Sequence, residues 1–555
     1  MVLVALVLII VFAVRSTPAK EARKLLWAMT GVTAVSFSVL TTLAIRHPKI
    51  PNGPYHLADT LLPAFALDSG VIFLVALLGS LLPLALDLLE RRGFAPFVAA
   101  RHVRATKSGF LTVISVLSMG GVAVSSCALC AVTSIMGGFG HDLKAKILQN
   151  NGHIVVDSTR TGGFGDWHRR LDAVQEALDK QGGGAATPVV GGDAMGSSAS
   201  NTAGVLVRGI DPDSIGKVVD LKKNIEVGAF DYLLDPEKLV SLPPDSIIGR
   251  GPGGEPYYKG PEFKWESGDP ALKDFLKPST RVYPGVILGR ELAKSLHVLV
   301  GDEITLLSPI GELGPTGVMP MSKRFRVAGI FYSGMYEFDA SHAYVLLKDA
   351  QKFFGMLEND HITQIDIRVP EPEKVKDYRA SVDAAAASVP FDGPKGAALR
   401  SRDWMEMNKG LFSALKLEKI ATFIILSIAI AVASFCIVCT LLLMVTEKGK
   451  EIAILKALGA SNEAIRRTFM IEGMIIGGIG TVFGVGIALA LCTGLATFGV
   501  GLDPDVYYIN RLPVNVDPSD YALVAVCAFI ICTLAAVYPA DAASKLEPVE
   551  GLRWE

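Results

Sequence analysis

Long runs of apolar residues alternate with charged stretches along the chain, and their lengths predict membrane-spanning helices. A bilayer core about 30 Å thick needs about 20 apolar helical residues. Four runs reach that length, at 110–137, 420–446, 473–498 and 521–540. Three further runs lie upstream, at 25–45, 69–86 and 1–14, of which the second is slightly short and the third is shorter still. Because 1–14 lacks the basic start of a signal peptide, we interpret it as a truncated or outward-starting first span.

Basic residues predict which loops face the cytoplasm, because Lys and Arg are enriched on that side. Placing all four basic clusters in the cytoplasm gives a consistent alternation of seven spans. The polar middle of the chain, 139–415, then lies in the periplasm of a bacterium with two membranes. The clusters are Arg15, Lys20, Arg23 and Lys24; Arg91, Arg92, Arg101, Arg104 and Lys107; Lys448, Lys450, Lys456, Arg466 and Arg467; and Lys545 and Arg553.

The polar middle of the chain mixes strand and helix patterns. Short β-rich runs such as HIVVDS and FRVAGIF alternate with helical stretches such as WHRRLDAVQEALDK. The predicted fold class is therefore a multi-pass α-helical membrane protein with a large periplasmic α+β domain, built from one or two subdomains. The Pro- and Gly-rich 237–280 predicts an irregular surface insertion, and the Gly-rich 182–192 and 249–254 predict linkers.

One charged stretch, 447–460, follows the apolar run at 420–446. Eight ionised groups lie between 447 and 467, and at about 2.5–3.5 kcal/mol each they would cost on the order of 20 kcal/mol or more inside the bilayer. Ile452, Leu455 and Leu458 recur along one side, and Gly459 is a helix stop signal. The pattern favours a cytoplasmic helix that docks in a partner's groove over an ordinary solvated loop.

A second unusual stretch, SPIGELGPTGVMPMSKRF at 308–325, lies between two strand-like runs. Its position predicts a long hairpin arm. Three prolines stiffen the arm, and its apolar residues are suited to contact with a partner. A docking arm and a floppy loop are both consistent with these residues.

Composition narrows the class of protein. Half of the 555 residues are hydrophobic and the mean hydropathy is +0.41, as expected of a membrane protein. The net charge of −2 excludes a nucleic-acid binder driven by positive charge. All seven cysteines lie in apolar runs, and two C-x-x-C pairs without further ligands favour helix packing over a zinc site. The sequence contains no H-E-x-x-H, G-x-S-x-G or P-loop motif.

The charged stretch and the run after it resemble a known permease family. TEKGKEIAILKALGASNEAIRRTFMIEGMIIGGIGTVFGVGIAL, 446–489, is similar to the FtsX/MacB-type permease domain of ABC transporters. Other stretches narrow the resemblance to lipoprotein-releasing-system permeases of the LolC/LolE type, most specifically LDPDVYYINRLPVNVDPSD at 502–520. The matching stretches extend over about 96–555. Residues 1–90 have no counterpart in the usual four-span members, and 237–280 is longer than expected.

The resemblance implies a four-span FtsX/MacB-like permease core plus about three extra N-terminal spans. It divides the chain into a membrane extension at 1–95, a cytoplasmic elbow helix with the first core span at 96–138, a periplasmic α+β domain at 139–415 with a hook-like arm at 308–323, and an FtsX-like permease domain at 416–555 with three spans and a coupling helix at 447–460.

The implied function is that of a permease subunit in an ATP-driven inner-membrane complex. The complex would extract lipoproteins from the inner membrane and hand them to a LolA-like periplasmic carrier for delivery to the outer membrane. This chain would be non-catalytic and bind no cofactor, with ATP and Mg on a separate LolD-like cytoplasmic ATPase. A second permease subunit, or a second copy of this chain as a homodimer, would complete the complex.

Three sets of site residues are implied by the same resemblance. The coupling helix would contact the ATPase through Glu451, Ile452, Ile454, Leu455, Lys456, Leu458 and Gly459. The hook would bind the carrier through Pro309, Ile310, Leu313, Pro315, Thr316, Val318, Met319 and Pro320. The lipoprotein cavity would be lined by Met136, Phe139, Phe423, Ile428 and Phe435. Small residues of the same spans are candidates for either cavity lining or helix packing.

Two alternative functions belong to other branches of this superfamily. An FtsX-type regulator uses ATP cycles to activate a periplasmic cell-wall hydrolase and transports nothing. A MacB-type efflux permease usually carries a fused ATPase, which this chain lacks. The large middle domain and the hook-like arm disfavour the regulator.

Overall fold

The computed structural model of the chain describes residues 20–46, 57–91, 93–104, 109–159, 162–243, 245–250, 256–258, 282–314, 317–391, 398–499, 508–509 and 511–547. Several predictions fall outside these residues: the first span at 1–14, the arm residues Pro315 and Thr316, and most of the insertion at 237–280, namely 244, 251–255 and 259–280. The side chains of 309–320 are likewise not described.

Helices form the membrane part and flank the middle domain. In chain order they are α1 (Lys20–Arg46), α2 (Leu57–Glu90), α3 (Phe94–Arg104), α4 (Gly109–Asn150), α5 (Trp167–Lys180), α6 (Ile215–Val218), α7 (Asp231–Leu234), α8 (Pro236–Ser241), α9 (Arg290–Leu296), α10 (Tyr336–Ser341), α11 (Leu347–Phe353), α12 (Val375–Ala387), α13 (Trp404–Met407), α14 (Lys409–Glu447), α15 (Gly449–Ala457), α16 (Asn462–Phe498) and α17 (Pro518–Ser544).

Six helices of the described residues, α1, α2, α4, α14, α16 and α17, are long and apolar enough to cross a membrane. The prediction of a multi-pass membrane protein is therefore confirmed. The run at 69–86 is shorter than the helix that contains it, because α2 continues through Pro63 and Pro83 over 34 residues. With 42 residues, α4 is about 60 Å long, so one end extends beyond a bilayer into the middle domain.

The helix α16 is the centre of the membrane part, where its glycines allow close packing on both sides. On one side, Gly477 lies against Cys532 of α17. On the other side, a Cβ atom at Gly480 would come within 2.8 Å of the Met119 carbonyl oxygen of α4. Only glycine fits at that position, since real Cβ atoms do not approach backbone so closely. Small residues here therefore set the distance between helices.

The N-terminal helices pack on a third side of α16. Leu67, Leu74 and Leu78 of α2 contact the surface of α16 beside Gly494 and Gly486. In turn, α1 packs on α2. The start of α1 and the end of α2 are joined by Arg23 and Asp87, whose side chains are 2.9 Å apart. These two helix ends therefore lie on the same side of the membrane part, as their basic residues predicted.

The middle domain, which we call the sheet domain, is built on one twelve-stranded sheet with the order β12-β1-β11-β2-β3-β10-β7-β9-β4-β5-β6, and β8 pairs with β2 and β9. The strands are β1 (Ile154–Ser158), β2 (Ala185–Ser197), β3 (Thr202–Ile210), β4 (Ile225–Gly228), β5 (Ile247–Arg250), β6 (Pro256–Tyr258), β7 (Gly285–Gly289), β8 (Glu303–Gly314), β9 (Gly317–Phe331), β10 (His342–Leu346), β11 (Gln364–Arg368) and β12 (Leu399–Asp403).

Two sequence-based interpretations of this domain were wrong. The Gly-rich 182–192 is not a linker, because most of it belongs to β2, where Gly192 packs against the ring of Phe354. The insertion is not irregular in its described part, because α8, β5 and β6 fall within it and β5 pairs with β4. Sequence patterns missed these strands because glycine and proline weaken the strand signal.

Candidate functional site

The helix α15 lies where the chain turns from α14 into α16. It ends in a Schellman motif, in which the N–H of Gly459 donates to the Lys456 carbonyl at 3.0 Å and that of Ala460 donates to the Leu455 carbonyl at 3.0 Å. Gly459 has φ +102°, a conformation that favours glycine. The Ser461 hydroxyl then caps α16 by accepting from the Ala464 N–H. The predicted helix and its stop are both present.

Two of the three residues in the apolar stripe, Ile452 and Leu455, face the chain's own membrane part instead of solvent. Ile452 is only 2% exposed and packs in a cluster with Phe469, Ala540 and Ala543. Leu455 is half-buried against the same cluster. The predicted partner contact through Ile452 is therefore corrected, because its side chain already fills the core between α15, α16 and α17. Periodicity alone cannot distinguish an internal partner from an external one.

Lys456 is also used within the chain. Its ammonium group donates to the carbonyl of Ser544 at 2.9 Å and to that of Leu546 at 2.6 Å. Because these carbonyls terminate α17, the cation fixes α15 to the end of the last span and offsets the negative end of its dipole. The predicted contact of Lys456 with the ATPase is therefore also corrected, because its ammonium group is bound within the chain.

The opposite side of α15 is open. Leu458 is 81% exposed and Ile454 is 49% exposed. Glu451 and Gly459 lie on the surface with them, and Lys448 pairs with Glu451 at 2.7 Å. Two exposed apolar side chains within one short charged helix form a small contact surface. Of the predicted coupling residues, Glu451, Ile454, Leu458 and Gly459 remain available to a partner.

A buried carboxylate lies near this surface and was missed by sequence reasoning. Glu472 of α16 has no exposed side-chain area, and its Oε2 lies 3.5 Å from Nδ1 of His102 in α3. The contact holds α3, the predicted elbow helix, against α16. An acidic residue at the edge of a long apolar run was the available signal, because such groups are rarely placed there without a role.

At the other end of the membrane part, β8 and β9 form the predicted hairpin arm. Residues 303–308 of β8 pair with 321–326 of β9, and β2 pairs with β8 over part of the same stretch. Beyond Ser308 the register shifts, and Glu312, Leu313 and Gly314 pair only with β9 among the described strands. The described backbone at 309–314 and 317–320 thus projects from the sheet as a two-stranded ribbon.

The five predicted cavity residues lie on two adjacent helices. Met136 and Phe139 are half-buried on α4, and Phe423, Ile428 and Phe435 are on α14. Ile428 and Phe435 are 58% and 65% exposed, in a row with Ile424 and Val432. By contrast, Phe423 packs against an internal cluster. The outward apolar face of α14 is therefore available to lipid or to another chain.

The small residues of these spans mainly pack helices together. A Cβ at Gly121 of α4 would lie 3.7 Å from that of Ala433 in α14. Nearby, the Ser118 hydroxyl lies 2.7 Å from that of Thr440 and 3.1 Å from the Cys436 carbonyl. These contacts favour the helix-packing interpretation over cavity lining at the interface of α4 and α14.

The C-terminal membrane part matches the protein-family model described as FtsX-like permease C-terminal, over residues 423–548. This region contains most of α14 and all of α15, α16 and α17. The extracellular domain of YknZ, a noncanonic ABC-type transporter from Gram-positive bacteria, has a TM-score of 0.23 and 8% identity, covering 44% of this chain and 99% of that chain. The family-model match and the six helices long enough to span a membrane define the class of protein as a multi-pass FtsX-like permease.

Relatives narrow the class further. The lipoprotein-releasing system transmembrane protein LolC of Neisseria meningitidis is 31% identical over 472 residues, covering 83% of this chain and 99% of the relative. LolC of Xylella fastidiosa is 30% identical over 82% of this chain and 98% of the relative. LolE of Haemophilus influenzae is 30% identical over 48% of this chain and 64% of the relative. The chain belongs to the LolC/LolE-type family of lipoprotein-releasing-system transmembrane proteins.

Proposed function

We propose that this chain is the permease subunit of an ATP-driven complex in the bacterial inner membrane that extracts lipoproteins and passes them to a periplasmic carrier. One observation carries the proposal: the match extends over 99% of a LolC relative, so it includes the sheet domain as well as the permease domain. This extent favours lipoprotein release over an FtsX-type regulator or a MacB-type efflux permease.

The proposal assigns a role to each end of the molecule. The sheet domain lies in the periplasm and α15 lies in the cytoplasm. A separate LolD-like ATPase binds ATP and Mg²⁺ and docks on α15 through Leu458 and Ile454. This chain is then a non-catalytic subunit that holds no cofactor and converts nucleotide cycles into movement.

Physical chemistry explains why such a reaction needs ATP. A lipoprotein with three acyl chains buries around forty CH₂ groups, which at about 0.8 kcal/mol each gives on the order of 30 kcal/mol. Thermal extraction against that free energy is far too slow, so the acyl chains need an apolar receiving surface. We assign this surface to the outward face of α14, including Ile428 and Phe435, opposed by a second permease subunit or a second copy of this chain.

The hairpin arm is the proposed hook for the LolA-like carrier. Its described backbone, 309–314 and 317–320, projects beyond the sheet, and no described strand besides β8 and β9 pairs with it there. Proline lowers the entropy that an arm loses when it binds. The arm therefore presents a pre-organised segment on the side where a soluble carrier arrives.

The hook is tested by replacing residues 309–320 with Asn-Gly. A two-residue turn then closes the Ser308–Met321 pair, so the base of the hairpin stays intact. We expect carrier binding by the purified complex to weaken at least tenfold and lipoproteins to accumulate in the inner membrane. ATP turnover should stay within twofold of wild type, because the change is distant from α15.

Lys352→Glu, an exposed change elsewhere in the sheet domain, is the control and should bind carrier normally. If the complex with the shortened hairpin binds carrier with wild-type affinity, the proposal that the arm is the carrier-binding hook is rejected. A wild-type complex that cleaves ATP but releases no lipoprotein would reject the proposed function itself.

A further inference from the structure

The loop between α16 and α17 connects the membrane part to the sheet domain. We call its described residues, 508–509 and 511–517, the strap. At its C-terminal side, the N–H of Asn515 donates to the Ser134 carbonyl of α4 at 3.0 Å. Next to it, a Cβ at Gly138 would come within 2.2 Å of the Pro513 carbonyl oxygen. The strap is therefore pressed onto α4 at a point that admits only glycine.

The other side of the strap contacts the sheet domain through Tyr508. Its ring lies 5.5 Å from that of Tyr336, edge to face, and 5.9 Å from that of Tyr332. Aromatic pairs at these distances attract each other beyond the effect of buried area. The Tyr508 carbonyl accepts from Lys146 of α4 at 3.0 Å. One residue thus connects the strap to both α4 and the turn that holds Tyr332 and Tyr336.

That turn is anchored within the sheet domain. The Ser333 N–H donates to the buried carboxylate of Asp339 at 2.8 Å, and the guanidinium of Arg290 lies 4.1 Å from the Tyr332 ring centre. Asn150, the last residue of α4, donates to the Ser333 carbonyl at 3.1 Å. Displacement of Tyr508 would therefore act on a fixed part of the domain.

The strap also lies against the end of the helix that follows the proposed ATPase contact. Four residues separate α15 from α16, which runs for 37 residues, about 55 Å. Just beyond its last residue, a Cβ at Gly499 would lie 3.0 Å from the Arg511 side chain of the strap. Because an uninterrupted helix is stiff along its axis, a tilt of α15 moves both ends of α16. The order along the chain is thus α15, α16, strap, α17.

We propose that the strap transmits movement of α15 and α16 to the sheet domain, with Tyr508 as the positioning residue at the contact. This inference rests on the proposed function for the source of the movement, the ATPase. Within the complex, the strap makes the sheet domain follow the nucleotide state of the distant ATPase.

The test compares Tyr508→Ala and Tyr508→Phe in the purified complex with its ATPase. Spin labels on cysteines introduced at Lys352 and Leu523, in a cysteine-free background, report the distance between sheet domain and α17. We expect ATP with vanadate to shift this distance by several ångströms in the wild type and in Tyr508→Phe. The shift should disappear in Tyr508→Ala, which should keep ATP turnover within twofold while releasing lipoprotein at least fivefold more slowly.

Tyr258→Ala removes an exposed tyrosine from the sheet domain and should leave the shift and the release unchanged. Tyr336→Ala removes the same ring contact from the side of the sheet domain, so it tests the strap even where Tyr508→Ala assembles poorly. This variant should also lose the shift in the distance between the spin labels. No shift in the wild type, or a normal shift in both alanine variants, would contradict the proposal that the strap transmits movement to the sheet domain. Since this readout needs no lipoprotein, it separates failure of the strap from failure of the proposed function.

Discussion

Two apolar residues, one in α15 and one at its C-cap, have opposite surroundings: Ile452 is in the core, and Leu458 is on the surface. Both belong to the same sequence periodicity, but the turn at Gly459 directs the last residue outward. The distinction matters for any experiment on α15, because a change at a buried position alters folding and a change at an exposed position alters partner contact. Leu458 and Ile452 therefore make a matched pair.

Leu458→Asp should reduce stimulated ATP turnover at least tenfold while the permease remains folded. A charge at an 81% exposed position costs the chain little, but it would be buried without a partner in the ATPase groove. ATPase assays on reconstituted complex, with size-exclusion profiles of the permease alone, check this outcome. Full ATP turnover in Leu458→Asp would reject α15 as the contact surface for the ATPase.

Ile452→Ala should behave in the opposite way. Deleting a fully packed side chain next to Phe469 leaves a cavity and costs about 2–5 kcal/mol. We expect a lower thermal midpoint and lower yield, but normal ATP turnover per folded molecule. An unchanged midpoint would contradict the packing of α15 onto α16 and α17.

A histidine of the sheet domain predicts acid sensitivity. Burial, and secondly the nearby Arg208 guanidinium, lower the pKa of His342 to about 3. Because the unfolded histidine has an ordinary pKa near 6.5, the unfolded state binds a proton first as pH falls. His342 should therefore stabilise the fold fully above about pH 6.5 and lose about 1.4 kcal/mol per pH unit between there and pH 3.

The comparison variant is His342→Gln, whose stability should vary less with pH over this window. Urea unfolding followed by tryptophan fluorescence at pH 7 and pH 5 measures the difference. Burial raises the pKa of Asp339 to about 6, so this carboxyl contributes the opposite slope in both proteins and cancels in the comparison. Equal slopes in the two proteins would contradict a buried neutral imidazole.

At the scale of elements, the sequence predicted most helices and strands because their periodicities are strong. It predicted the stop of α15 at Gly459 and the hairpin of β8 and β9 from glycine and strand signals. It could not predict β2, where Gly192 leaves room for the ring of Phe354. It also could not predict the strap, where Tyr508 contacts Tyr332, a residue more than 150 positions away in the chain. Local patterns carry no information on such distant pairs, so long-range contacts had to come from the structure.

Packing of α16 provides a prediction at the same scale. Gly480→Ala should destabilise the protein by about 1–3 kcal/mol, because the methyl group would press on the α4 backbone at Met119. Gly120→Ala is the matched control on α4, since a Cβ there meets no atom within 4 Å. Thermal unfolding in detergent should separate the two variants, and equal midpoints would contradict the close packing of α16 on α4.

At the scale of the whole molecule, charges in the sequence predicted which helix ends share a side. The Arg23–Asp87 pair joins the start of α1 to the end of α2, and Lys456 joins α15 to the end of α17, as that prediction requires. Which side is cytoplasmic stays a prediction. The resemblance also predicted the permease family. Neither source could indicate that Lys456 and Ile452 serve contacts within the chain, because an internal and an external partner leave the same residue pattern.

Orientation is tested by two single-cysteine variants in a cysteine-free background. Lys352→Cys in the sheet domain should react with a membrane-impermeant thiol reagent added to the periplasmic side, and Lys450→Cys in α15 should not. Both residues are exposed, so accessibility within the fold does not bias the comparison. The reverse labelling pattern would reject the assigned periplasmic and cytoplasmic sides.

The leucines that α2 places against α16 also give the molecule a front and a back in the plane of the bilayer. At the back, Leu67, Leu74 and Leu78 occupy the surface beside Gly486 and Gly494, and α1 adds a second layer. At the front, the row from Ile424 to Phe435 on α14 has no such cover among the described residues. A hydrophobic molecule that diffuses laterally in the membrane can therefore reach the row on α14 directly, whereas α1 and α2 keep it from the face of α16 that they cover.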